Sequence, residues 1–233
     1  MTTSFELPDL VPSRTAAPIV LQVDDICLRW VMPEIFHDLP VQARDDDEAV
    51  QLLEELGDKV LPGAEYDDKT KFGVMCALAL DDLSAAGVEH AAICLTVEGG
   101  IPCIATISVS LVESPEVAGI PAVVRAISSS LNKAEAGEIS VIELPCGAAV
   151  SCIGNRDASI SGELMSTEDN VTLPTSYIRV YVPLPNHTTV VMELSTPTMS
   201  GWDMFSTMFG NIVSSIRLFH ADGSPLITSA VEA

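Results

Sequence analysis

Apolar residues along this chain recur in two rhythms, one alternating and one helical, and the switches between them mark out its elements. Residues 1 to 20 hold Pro8, Pro12 and Pro18 with no sustained period, so an extended or mobile arm is expected there. Apolar residues return from Ile19 to Met32 around Asp24 and Asp25, and the run ICLRWVM reads as a strand ended by Pro33, the first element of a sheet. The acidic run Asp45 to Glu48 then precedes AVQLLEELGDKV, where Val50, Leu53, Leu56 and Val60 keep helical spacing and the carboxylates complement the helix dipole. This predicts a helix of about four turns. Pro62 and Gly63 stop it. A second helix starts near Asp67 or Asp68, presents Phe72, Met75, Cys76, Ala79 and Leu83 on one side, and closes at Gly87, so that the pair forms an αα-hairpin.

The segment AAICLTVEGGIPCIATISVSLV is the clearest hairpin, because Gly99-Gly100 supplies the positive φ angles of a two-residue turn. Pairing Glu98 with Ile101 sets Cys94 opposite Ala105 and Cys103 opposite Thr96. The two sulfurs then sit diagonally, outside disulfide reach. A helix follows to about Ala136, with Val117, Ile120, Val124, Ile127 and Leu131 at intervals of three and four. Ser114-Pro115 can cap its start, and Pro121 either kinks it or marks the start itself. EISVIELP and GAAVSCIGN read as two strands around a Pro145-Cys146-Gly147 turn. Residues 157–174 are polar and aperiodic, which predicts a long loop, with an irregular strand in it as the alternative. SYIRVYVP and TTVVMELS flank PLPNH as another hairpin, with Ile178, Val180 and Val182 alternating with Tyr177, Arg179 and Tyr181. The last helix carries the stripe Trp202, Phe205, Phe209, Ile212 and Ile216 after a capping box of Ser200 with Asp203.

These elements predict an α+β fold: an antiparallel sheet covered by helices as an α/β/α sandwich, with an N-terminal αα-hairpin. The expected layout is a flexible arm over residues 1–18 and a single domain over 19–219. Within that domain the αα-hairpin occupies about 45–87 and the sheet with its helices about 89–219. A tail covers 220–233.

Charge narrows the partners. With 33 acidic against 11 basic residues the formal net charge is −22, so nucleic acid and anionic lipid are poor partners, and a basic protein is a better one. The longest uncharged run, Gly99 to Val112, is too short and interrupted to span a bilayer. The first residues also lack the layout of a secretory signal, so the expected compartment is the cytoplasm. Six cysteines diluted through such a chain are expected as reduced, buried thiols.

The common catalytic signatures are missing: there is no phosphate-binding Gly-rich loop, GxSxG elbow, HExxH or CxxC. Ser130 to Lys133 spells SxxK, but at the end of a surface helix and with no partner motif. His37, His90, His187 and His220 are dispersed, so no zinc site has local support, and the acidic run lacks the spacing of a calcium loop. No catalytic residue, cofactor or metal ligand is assigned. What remains is an outward aromatic and Arg set, Tyr177, Arg179 and Tyr181, with His187 in the adjoining turn, a residue mix suited to protein contacts.

The C-terminal part, ending YVPLPNHTTVVMELSTPTMSGWDMFSTMFGNIVSSIRL, resembles the PsbP-like α/β/α sandwich superfamily. That group includes photosystem II extrinsic subunits, a Ran-nucleotide release factor and small bacterial lipoproteins. Leu194, Ser195, Thr196, Pro197, Trp202, Phe205, Phe209 and Ile216 stand where a last strand, a Ser/Thr-Pro link and an aromatic-rich helix close such a sheet. The chain is also similar to small acidic proteins of actinobacteria in which a motif like Leu144-Pro145-Cys146-Gly147 precedes a YVP hairpin. The resemblance covers a little over half the chain and implies a binding or assembly role, at fold level only. The resulting expectation is a cytoplasmic, non-catalytic protein-interaction or accessory module, with a specialised secretion system or a neighbouring effector as its setting. Its contact surface is placed on the Tyr177 to Tyr181 face or on loop 157–174. The alternatives are a ligand carrier or enzyme whose site assembles only in three dimensions, and a structural homo-oligomer. The sequence does not fix the oligomeric state.

Overall fold

Gly99 (φ 57°) and Gly100 (φ 83°) make the two-residue turn that their sequence demands, and the hairpin they join has the expected register. The structure, a computed structural model, describes residues 18–160, 169 and 171–226. Strands β1 (Ile19–Val23), β2 (Ile26–Trp30) and β3 (His37–Leu39) are followed by helices α1 (Asp46–Val60) and α2 (Tyr66–Ala85). The hairpin β4 (Val88–Glu98) and β5 (Ile101–Glu113) leads to α3 (Ile120–Lys133), then β6 (Glu138–Leu144) and β7 (Gly147–Ile160). Last come β8 (Val171–Pro183), β9 (Thr188–Thr196), a 3₁₀ turn (Met199–Gly201), α4 (Trp202–Ser214) and β10 (Arg217–His220).

A seven-stranded antiparallel sheet runs β3-β4-β5-β9-β8-β7-β6, and a three-stranded antiparallel sheet runs β1-β2-β10. Alternation builds the layers. Cys103, Ala105, Ile107 and Val109 of β5 point to one face, where they meet Met192 and Leu194 of β9 and the stripe Phe205, Phe209, Ile212 and Ile216. Phe205 and Phe209 are almost fully buried, which stabilises the fold by about 2–3 kcal/mol each. The small sheet closes the same core through Leu28, Trp30 and Leu218, so this face is covered by α4 together with a second sheet, where helices alone were expected.

The opposite face carries two separate helical blocks. Leu53, Leu56 and Cys76 of α1 and α2 pack on Leu39, Ala91 and Ile93, while Val123, Val124 and Ile127 of α3 pack on Val150. Between the blocks this face is polar: Thr106 and Ser195 lie side by side with their hydroxyls 2.8 Å apart, and Arg179 faces Glu193.

Several expectations need correction. The run around Asp24 and Asp25 is a hairpin of two strands, with Asp24 at φ 54°, a left-handed position that Asp tolerates. Residues 157–160 and 171–174 are paired strand, from Asp157↔Pro174 to Ile160↔Val171, and no loop. The rest of the stretch expected as a loop lies outside the described residues, apart from Asp169. β9 pairing ends at Thr196↔Ser176, so the extension of β8 has only β7 beside it. With no sheet on its other side, its sequence shows no apolar period, and Pro174 is tolerated. α3 starts at Ile120 with Pro121 in its first turn, so Pro121 marks the start. Ser200 does not cap α4: a 3₁₀ turn precedes the helix, and the Ser200 hydroxyl lies 3.2 Å from the Cys103 sulfur. Residues 217–220 form β10 against β2. The chain after it folds back, with the Leu226 N–H donating to the Leu218 carbonyl (2.9 Å) where an unstructured tail was expected. The arm over 1–17 and the rest of the tail lie outside the described residues. No helix among the described residues is long and apolar enough to cross a membrane.

α1 is capped as its sequence implies: the Asp45 carboxylate accepts from the Glu48 N–H (2.9 Å), and Arg44 pairs with Glu48 (2.7 Å). The buried faces of the hairpin differ from expectation. Val50 of α1 is 57% exposed. α2 turns Cys76, Phe72, Leu80 and Leu83 inward and leaves Val74, Met75, Leu78 and Ala79 outside. FGVMCALAL is apolar almost all round, so its spacing cannot choose a face.

Candidate functional site

Three of the four residues singled out from sequence, Tyr177, Arg179 and Tyr181, come together on β8, and the fourth, His187, does not join them. Tyr177 is buried: its hydroxyl donates to the Ala136 carbonyl (2.5 Å), and its ring lies between the guanidinium groups of Arg156 (5.4 Å) and Arg179 (5.2 Å). Gly154 stands opposite Tyr177 across β7 and β8, and a Cβ there would lie 2.6 Å from the Tyr177 oxygen and 2.7 Å from that of Ala136. Only glycine admits the tyrosine. Burial first, and the neighbouring Cys152 second, push the Tyr177 hydroxyl above its ordinary pKa.

Arg179 is held by Glu193. Its Nε donates to Glu193 Oε2 (2.7 Å), its Nη2 donates to the same oxygen, and its Nη1 donates to the Tyr181 hydroxyl (3.3 Å). Arg156 takes the other carboxylate oxygen at 2.5 Å. Burial opposes the Arg179 charge, but the hydrogen bond to Tyr181 and the Glu193 carboxylate outweigh it and hold its pKa above the ordinary value. Tyr181 is half-buried against the cluster under α3. The expected aromatic and Arg patch is thus an internal network, because the same face that alternation leaves polar is roofed at one end by α3. Sequence reasoning missed its centre, Glu193. The available signal was an acid embedded in the apolar run of TTVVMELS.

His187 sits apart. It is an exposed turn residue at φ 64°, its carbonyl accepts from the Ser114 N–H (2.8 Å), and strand rise puts it about 20 Å or more from Tyr177. It borders an open recess of about 730 Å³ with Glu113, Glu116 and Asn186.

The surface that no expectation named lies on the αα-hairpin. Between α1 and α2 runs a groove of about 430 Å³ with Leu53, Gly73 and Ala77 at its base and Val50, Val74 and Tyr66 along it. Tyr66 is 79% exposed and Val74 48%. The apolar surface continues over Met75 and Leu78. A Cβ added at Gly73 would meet nothing within 4 Å, so packing inside this chain does not call for a glycine that costs a helix about 1 kcal/mol relative to Ala. Lys69 of α2 donates to Asp58 of α1 (2.6 Å) at the groove. Contiguous exposed apolar surface with a polar rim is the mark of a contact site.

No family model matches the chain, and neither does any curated protein. Solved structures similar at low level include the following two. The Ran-binding protein Mog1p of Saccharomyces cerevisiae aligns with 10% identity over 86% of this chain and 94% of its own, at a TM-score of 0.37. LpqN of Mycobacterium tuberculosis, involved in cell envelope biogenesis, aligns with 14% identity over 55% of this chain and 83% of its own, at a TM-score of 0.29.

Proposed function

We propose that the chain is a non-catalytic protein-interaction module whose contact surface is the outer face of its αα-hairpin. The observation that carries this reading is the groove between α1 and α2, along which Val50, Tyr66 and Val74 stay exposed beside one another. On the strand face of Tyr177 and Arg179 the polar groups are engaged in the Arg156–Glu193–Arg179 network, which supports the hairpin as the contact site. A net charge of −22 favours a basic partner, a neighbouring effector or a component of a specialised secretion system. Cytoplasmic work is part of the proposal, supported by six buried cysteines with no disulfide between them.

The test is affinity purification from the native host with the full chain, its Val74→Asp variant and its Tyr181→Phe variant. A partner retained by the wild type and Tyr181→Phe but lost with Val74→Asp supports the hairpin surface. A partner retained equally by all three rejects it.

A further inference from the structure

We infer that the occupant of the α1–α2 groove is a basic amphipathic helix of a partner protein, an inference that rests on the hairpin being the contact surface. Shape is the first argument. Two antiparallel helices leave between them a channel of the width that a third helix fills, at an interaxial distance of about 8–10 Å. α1 has 15 residues and α2 has 20, so a helix of about four turns can lie along them. Gly73 and Ala77 are four apart on one side of α2 and let another backbone approach closely, while Val50 and Val74 flank them with apolar walls. All backbone groups in the middle of both helices are already paired, so this surface offers no edge for an added strand. Recognition falls to side chains, in the mode where apolar residues at i, i+3, i+4 and i+7 enter a groove.

Charge selects the sign of the partner. Residues 45–86 hold 12 acidic and three basic side chains. Glu48 and Asp58 are the two acids of this stretch in ion pairs, with Arg44 and Lys69, and the remaining ten carry none. Glu54 and the Lys69-paired Asp58 line the groove itself, so a partner whose apolar face is flanked by Lys and Arg meets carboxylate there within the wider negative field of the hairpin, whereas an acidic helix is repelled. The same excess opposes a second copy of this hairpin as occupant, since both surfaces are negative.

The experiment titrates the full chain with three labelled 18-residue peptides, followed by fluorescence polarisation at low and at high salt. One peptide carries Leu at i, i+3, i+4 and i+7 with Lys and Arg around them. The second is its scramble, and the third replaces each basic residue by Glu. The protein is used as wild type, Gly73→Leu and Val74→Asp; circular dichroism confirms that each variant is folded. Gly73→Leu places a side chain in the channel at a position where an added Cβ meets nothing within 4 Å. The expected result is saturable binding of the first peptide alone, weakened at least tenfold by either substitution and several-fold by high salt. Equal binding of the scramble, or unchanged binding to Gly73→Leu and Val74→Asp, overturns the inference. So does a Val74-dependent dimer in light scattering, which would make a second copy the occupant. If host capture depends on Val74 while the basic peptide fails, the contact surface stands and the helical occupant falls. If host capture is indifferent to Val74, the contact surface itself falls.

Discussion

Arg179 on β8 stands directly opposite Glu193 on β9, and this carboxylate also takes Arg156 on its other oxygen, so one acid 11% exposed holds two cations. Removing Glu193 leaves both guanidinium groups without their counter-charge on a partly covered sheet face. Glu193→Ala is expected to destabilise the chain by about 2 kcal/mol. That lies below the usual figure for a fully buried pair, because Arg156 is 43% exposed and water can replace part of what is lost. Urea unfolding checks this, and a change under about 0.5 kcal/mol would show the network to be incidental.

The match of Gly154 to Tyr177 makes a second prediction. Tyr177→Phe removes the donor to the Ala136 carbonyl and is expected to cost about 1–2 kcal/mol. Gly154→Ala drives a methyl into the space of the phenol oxygen and should cost more. Combined with Tyr177→Ala, the Gly154→Ala change should lose part of its own penalty, since the phenol oxygen is gone while the Ala136 carbonyl oxygen, 2.7 Å from the new methyl, remains. A double-mutant cycle in thermal unfolding measures that coupling; strict additivity would refute it.

His90 gives the pH dependence. It packs edge-on against Trp30 at 5.5 Å and lies 3.7 Å from the Asp38 carboxylate, too far for a hydrogen bond. Burial lowers its pKa below 6.5 and Asp38 offsets this only in part. The unfolded chain therefore binds the proton first as pH falls. The stability gained by keeping His90 neutral is complete above about pH 6.5 and is lost as pH drops through that value toward the lower folded pKa. His90→Phe should flatten the difference in unfolding free energy between pH 7.5 and 5.5. An unchanged slope would assign the acid sensitivity elsewhere.

The hairpins were legible because turn chemistry and alternation agree: Gly99-Gly100 dictates one register, and PLPNH with its flanking strands dictates another. The aromatic stripe of α4 was legible for the same reason. β3 and β10 were not, since three or four residues such as His37–Leu39 carry no period of their own and are strands only because β4 or β2 lies beside them. The inward face of α2 was hidden by its even apolarity, and that evenness is what leaves Val74 and Met75 for the surface. Alternation puts Tyr177 and Arg179 on one side of their strand, but alone it cannot say what roofs that side. Glu193 escaped notice because its partners come from β7 and β8, far away in sequence.

The small sheet ties distant parts of the polypeptide together, with Cys27 of β2 opposite Phe219 of β10. During synthesis Leu28 and Trp30 are made long before the strand and helix that enclose them. A ribosome-bound nascent chain must therefore carry this oily surface until α4 and β10 have emerged, and closure falls to a slow, long-range docking step in which premature aggregation competes with completion.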